Sequence, residues 1–313
     1  MPKVVISEFM DEAAIAEALS GFDTLYDPGL VDRPEDLIAA LKGADALIVR
    51  NRTQVRGGLL AAAPDLKVVG RLGVGLDNID VPACEARGIA VYPATGANDG
   101  AVAEYVIGTA MALLRGAYGA TAQVAAGAWP RNALMGREIA GKRLGLVGFG
   151  AIARETARRA AALGMSLSAH DPFLAPGDPA WSPAYGPVAN CGLDALIAQS
   201  DVLSLHVPLT ETTRGLIGAE AIARMPEGAI LINAARGGVV DEAAVAAALR
   251  AGRLGGAALD VFAHEPLDAA GGAPFAGVPN LILTPHIAGV TVESNVRVSA
   301  VTARAVRRHL TEA

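Results

Sequence analysis

The stretch "LVGFGAIARETARRAAALG" (146–164) limits the possible folds more than any other part of the chain. An apolar run ends at Gly148-Phe149-Gly150, and a helical pattern starts at once. A strand that turns on two glycines into a helix opens a βαβ unit, and such units build parallel sheets covered by helices. Gly148 suits the tight turn, and Gly150 lets a ligand approach the backbone. Ala153 takes the third position of G-x-G-x-x-G, where close helix–strand packing asks only for a small residue. The helix N-terminus that opens with Ala151 and Ile152 offers unpaired N–H groups and a favourable dipole to a pyrophosphate. Asp171 follows Gly148 by 23 residues, after the next β-rich run, where an acid hydrogen-bonds ribose hydroxyls. Pro172 and Phe173 come next, with no Arg or Lys for a 2′-phosphate, so NAD is expected rather than NADP.

The same alternation of strand and helix signals runs along the whole chain. Short β-rich runs fall at 3–7, 46–50, 66–73 and 89–94, with helical stretches such as "RPEDLIAALKG" between them. A second series starts at 141 and adds runs at 166–172, 200–210, 228–238, 256–262 and 280–289. "ANDGAVAEYVIGTAMALLRG", around 97–118, reads as one long, mostly apolar helix suited to burial between domains or subunits. The last helix covers "VESNVRVSAVTARAVRRHL". At about 100–200 residues per domain, 313 residues predict two domains. The expected class is α/β, with two doubly wound, Rossmann-like parallel-sheet domains and a ligand cleft between them.

Several function classes drop out. A net charge of −6 argues against a sequence-independent grip on nucleic acid. The two cysteines, Cys84 and Cys191, form no CxxC pattern, so neither a disulfide framework nor a zinc site is expected. No apolar run approaches the roughly 18 residues of a membrane span, and "MPKVVISEFMDE" carries acids where a signal peptide has basic and apolar stretches. A cytoplasmic protein is the expectation.

Three residues near strand ends share one chemistry: Arg236 in "NAARGG", Glu265 in "DVFAHEPL" and His286 in "TPHIAG". Oxidising a hydroxy acid needs a base for the hydroxyl proton and a clamp for the carboxylate. Histidine titrates near neutrality, a neighbouring carboxylate orients it, and the planar fork of arginine matches a carboxylate. Each residue also has a plainer reading, as a structural histidine, a turn-starting glutamate and a helix-capping arginine. Spacing alone does not separate the two.

The chain resembles the D-2-hydroxyacid dehydrogenase family over nearly its whole length. The matching segments are "GRLGVGLDNID" (70–80), "GANDGAVAEYVIG" (96–108), "LVGFGAIA", "HVPLTETTRGLI" (206–217), "NAARGGVVDE" (233–242), "DVFAHEP" (260–266) and "PHIAG" (285–289). The resemblance implies that Arg236 binds carboxylate and carbonyl, that Glu265 supports the histidine, and that His286 is the acid–base. It implies that Asp260 contacts the nicotinamide amide, and that His206, Pro208 and Ala234 join Gly148, Gly150, Ala151, Ile152 and Asp171 at the cofactor. It also implies a substrate domain of residues 1–97 plus 287–313, a cofactor domain of 98–286, and a homodimer formed through the 97–140 region.

The substrate side is narrower. Arg50 and Arg52 follow one strand and Arg71 another, and strand alternation would put 50 and 52 on one side. Three guanidiniums exceed the need of one carboxylate and suggest a second anion on a small 2-hydroxy or 2-oxo acid. By resemblance, Gly73, Val74, Gly75 and Asn98 complete that site. This region is similar to the phosphoglycerate dehydrogenase branch, whose longer members carry a regulatory domain not expected here. "AGVTVESNVRVS" and Ala153 are more similar to sulfolactate dehydrogenases. Sulfur raises the priority of the tail, so (S)-sulfolactate has the handedness of (R)-lactate. 3-Sulfolactate is favoured over 3-phosphoglycerate. Hydroxypyruvate or glyoxylate reduction, and an NADH-sensing corepressor without turnover, are the alternatives.

Overall fold

Runs of Val, Ile and Leu with no polar face form strands buried on both sides, and a parallel sheet covered by helices supplies that burial. The computed structural model describes residues 1–312. They fall into two compact units: Met1–Asn98 with the segment from Val290 onward, and Asp99–Gly289.

In the first unit, β1 (Lys3–Ile6), β2 (Asp23–Tyr26), β3 (Ala46–Val49), β4 (Val68–Arg71) and β5 (Ala90–Pro93) pair in the order β2-β1-β3-β4-β5. Every pairing is parallel. This is a doubly wound order with its switch point between β1 and β3. β2, "DTLY", was not foreseen: it is four residues long, lies at the sheet edge, and has no buried residue to give it an apolar signature. The helix Val292–Glu312 covers one face, and its Val298, Ala303 and Val306 pack with Val4, Ile6, Ile48 and Val68.

The second unit holds β6 (Arg143–Val147), β7 (Ser166–His170), β8 (Ala189–Asn190), β9 (Val202–Leu205), β10 (Ala229–Asn233), β11 (Leu254–Leu259) and β12 (Leu281–Leu283), in the order β12-β11-β10-β9-β6-β7-β8. All six pairings are parallel. The order reverses between β6 and β9, the place where ligands bind in such sheets. β8, two exposed residues at the edge, is the other strand the sequence does not signal. The long apolar helix runs over Asp99–Arg115 and stops at Gly116, whose φ of +65° ends it in a left-handed cap. Its Val106, Ala110, Leu113 and Leu114 pack with Ala153, Ala157 and Ala160 of the helix Ala151–Ala162. Among the described residues, no helix is long and apolar enough to cross a membrane.

Gly70 of β4 shows how closely the first unit is packed. A Cβ there would lie 2.7 Å from Thr302 Cγ2 and 2.8 Å from Val306 Cγ2. Neither methyl sits on a flexible chain, so the helix Val292–Glu312 would have to shift. Gly70→Ala is expected to destabilise by about 1–3 kcal/mol through overpacking. Urea unfolding checks this, and an unchanged midpoint would mean that the helix yields freely.

Candidate active site

A single register row crosses the second sheet. His170 pairs with Val147, Val147 with Leu205, Leu205 with Asn233, Asn233 with Leu259, and Leu259 with Leu283. Parallel strands all leave on the same side, so the next residue on each follows the same edge. Those residues are Asp171, Gly148, His206, Ala234, Asp260 and Thr284. Five of the six were singled out in the sequence; Thr284 was not.

The glycine turn separates two reasons for having glycine. Gly148 has φ +86°, donates to His170 O at 2.8 Å, and would place a Cβ 2.5 Å from His206 O. The chain itself demands glycine there. Gly150 has φ −75°, and a Cβ on it would meet no protein atom within 4 Å. Neither conformation nor packing asks for glycine at 150, and the space beside it is open. Ala153 is fully buried. Phe149 lies flat on Trp181, with ring centroids 5.2 Å apart. The Asp171 carboxylate accepts from Phe149 N and Phe173 N, each at 2.9 Å, and so braces the turn while keeping further acceptor capacity. Burial pushes the His206 imidazole down to about 4, so it is neutral at neutral pH, with Nε2 3.0 Å from Ser204 Oγ. Pro208, two residues on, accepts from Thr213 Oγ1 at 2.6 Å.

The β10, β11 and β12 ends bring the catalytic candidates together. Asn233 accepts from Ala235 N at 3.1 Å and donates to Arg236 O at 2.9 Å, which closes the turn carrying Arg236. Gly237 lets this turn cross the β11 loop, since a Cβ would lie 1.7 Å from Phe262 O. Arg236 Nη1 donates to Ala235 O at 2.6 Å. Glu265 accepts from Phe262 N at 2.9 Å on one oxygen and meets His286 Nδ1 at 2.7 Å on the other. Burial alone would raise the Glu265 carboxyl. The hydrogen bonds from His286 and Phe262 N outweigh it, the charges of His286 and Arg236 add to them, and the group is held below its ordinary value.

His286 has φ +55°, a left-handed conformation uncommon for a side-chain-bearing residue. What holds it is Asp260, whose role here the sequence reading missed. Its buried carboxylate accepts from Thr284 Oγ1 at 2.6 Å and from Ile287 N and Ala288 N at 2.8 Å each. The His286 N–H donates to Asp260 O at 2.8 Å. Among the described residues, no group of three His, Cys, Asp or Glu could hold a metal.

The family described as "D-isomer specific 2-hydroxyacid dehydrogenase, NAD binding domain" matches residues 107–288. The chain is 56% identical to a protein of Chromohalobacter salexigens named (S)-sulfolactate dehydrogenase, over 99% of each chain. It is 39% identical to the D-3-phosphoglycerate dehydrogenase of Mycobacterium leprae, covering 98% of this chain and 56% of that one. The crystal structure of D-lactate dehydrogenase from Aquifex aeolicus, complexed with NAD and lactic acid, superposes with a TM-score of 0.84 at 28% identity, over 99% of this chain and 96% of that one. The chain belongs to the D-isomer specific 2-hydroxyacid dehydrogenase family. It is an NAD-dependent oxidoreductase. The glycine turn fits that cofactor: Gly150 leaves open space at a helix N-terminus, and Asp171 offers a carboxylate one residue beyond β7.

The first unit of this family member places the tail candidates less simply than strand alternation suggests. β3 ends at Val49, so Arg50 and Arg52 lie in the loop beyond it, where the alternation no longer applies. The buried Glu8 carboxylate gathers that loop, accepting from Arg50 N at 2.9 Å, Arg52 N at 3.1 Å and Thr53 N at 3.0 Å. The two side chains then part. Arg50 donates to Asn295 Oδ1 and Phe9 O, whereas Arg52 forms an exposed pair with Asp32. Arg71 Nη1 donates to Leu72 O at 2.9 Å and crosses over Gly73, where a Cβ would be 1.5 Å away. Val74 and Gly75 continue this loop, and Asn98 Oδ1 is buried with no hydrogen-bond partner among the described residues. Glu8 and Asn295 went unrecognised because an acid after a strand and an amide on a helix carry no signal on their own.

Two expectations follow from this geometry. Gly148→Ala should lower the melting temperature and abolish NADH binding, while Gly150→Ala should change stability by no more than about 0.5 kcal/mol and weaken NADH binding alone. Melting curves and NADH fluorescence titrations separate the two, and equal melting losses would contradict the distinction. Glu265 has a depressed folded value, so its stabilisation is complete above its unfolded value of about 4.3 and fades as pH falls through the folded one. The stability gap between wild type and Glu265→Gln should be widest above pH ~5 and narrow in acid. A gap that widens in acid would reverse the sign assigned here.

Proposed function

We propose that the chain oxidises the 2-hydroxyl of a D-configured acid bearing a second anion, with (S)-3-sulfolactate the favoured substrate and 3-phosphoglycerate next. The observation that carries the reaction is the 2.7 Å contact between Glu265 and His286 Nδ1. With Nδ1–H donated to the carboxylate, Nε2 is the unprotonated nitrogen that takes the hydroxyl proton. Glu265 then stabilises the imidazolium that forms. Arg236 grips the substrate carboxylate bidentately and orients C2. Bound NAD supplies the hydride acceptor. The distal anion is assigned to Arg50, Arg52 and Arg71, with Gly73, Val74, Gly75 and Asn98. The choice of sulfonate is supported by the full-length likeness to an enzyme named for sulfolactate.

A cytoplasmic homodimer completes the reading. Supporting the dimer, Tyr118, Trp129 and Met135 are 71%, 75% and 83% exposed, a concentration of large apolar side chains that a second copy would cover.

The test is NADH formation from NAD with 3-sulfolactate, 3-phosphoglycerate, glycerate and lactate in parallel. Sulfolactate should lead on kcat/KM, and equal turnover of the uncharged-tail acids would remove the tail site. Arg236→Ala should lower kcat/KM on every acid by about 2–5 kcal/mol of transition-state stabilisation. Near-normal turnover would end its assignment as the clamp.

A further inference from the structure

We propose that Tyr105 and Thr284 form a partly buried hydroxyl relay that sets the position of His286 through Asp260, which makes Tyr105 a positioning residue for proton transfer. The inference rests on His286 being the acid–base group. Thr284 is the first residue after β12, and its Oγ1 has two close partners, Asp260 Oδ1 at 2.6 Å and Tyr105 Oη at 2.7 Å.

Counting protons fixes the direction of both bonds. Both Asp260 oxygens face N–H donors, from Ile287 and Ala288, so the carboxylate accepts on each. The single Thr284 hydroxyl proton is therefore spent on Asp260. The remaining bond must run from the Tyr105 hydroxyl to Thr284. Burial pushes the Tyr105 phenol up to about 12, with the Asp260 charge adding to it against the Thr284 hydrogen bond, so the donor proton stays in place at working pH.

His286 has φ +55°, which a side-chain-bearing residue keeps only when its surroundings hold it. The holding bonds converge on Asp260: two peptide N–H groups just after the histidine reach its carboxylate, and the histidine's own N–H reaches its carbonyl. Tyr105 stands on the 17-residue helix Asp99–Arg115, so the relay ties the loop to a rigid element packed in the core.

Four variants test this: Tyr105→Phe, Thr284→Val, Thr284→Ser, and the Tyr105→Phe/Thr284→Val pair. Losing one neutral hydrogen bond should lower kcat about 3–10-fold in Tyr105→Phe, with KM within about twofold. Thr284→Val should lose more and shift the midpoint of its pH–kcat/KM profile, because the imidazole no longer sits squarely on Glu265. Thr284→Ser keeps the hydroxyl and should stay near wild type. The paired variant should be no worse than Thr284→Val alone, since the phenol acts only through that hydroxyl. Wild-type kcat and pH profile in Tyr105→Phe, or losses that add in the paired variant, would overturn the relay while leaving the proposed function intact. A wild type inactive on every acid would overturn both.

Discussion

The parallel hydrogen-bond ladder of the second sheet is what the rest of this site depends on. Its register places His170, Val147, Leu205, Asn233, Leu259 and Leu283 in one row, so six loops begin level with one another. A strand slip of one residue would turn its whole side-chain set to the opposite face. The buried Val, Ile and Leu of β9 and β10 make such a slip costly. The glycine turn, Asp171, the arginine, the buried aspartate and the histidine loop are then separate elaborations on neighbouring strand ends. None of them has to create its own alignment.

On that edge, charge is placed with little waste. Asp260 is buried, yet it faces a hydroxyl and two peptide N–H groups, the arrangement that makes a buried carboxylate tolerable. Glu265 faces a backbone N–H and an imidazole, with the Arg236 charge acting on it, and so stays ionised. The two acids divide the work on His286: Asp260 holds its backbone, and Glu265 holds its ring. Short loops over a rigid sheet can fix a side chain in this way because the scaffold positions them.

Much of this was legible in the chain. Gly148, Gly150 and Asp171 could be read because strand, turn and helix signals are local and their spacing is set by one βαβ unit. Arg236, Glu265 and His286 could be grouped because strand ends in a doubly wound sheet share an edge. Thr284 and Tyr105 could not: they lie 179 residues apart, and only the packing of the helix Asp99–Arg115 brings their hydroxyls together. Glu8 was hidden in the same way, since its three donors sit more than 40 residues downstream. The edge strands β2 and β8 were missed for a different reason. Short strands with one face in water carry too few apolar residues to show a period.

The arginines of the first unit show where sequence counting needs the physics of partners. Three guanidiniums looked like one cluster, yet each is held differently: Arg50 against Asn295 and Phe9, Arg52 on Asp32 in the open, and Arg71 folded over Gly73. An exposed ion pair in water holds its partners weakly, so an incoming anion can compete with Asp32 for Arg52. Arg50 is more confined, and burial lowers its guanidinium despite the Glu8 charge, which favours the ionised form. A sulfonate or phosphate that reached Arg50 would add to the Glu8 charge, which alone does not offset the burial, whereas at Arg52 it would only replace a counter-charge already present. Of the two, Arg50 therefore has more to gain from an anionic tail.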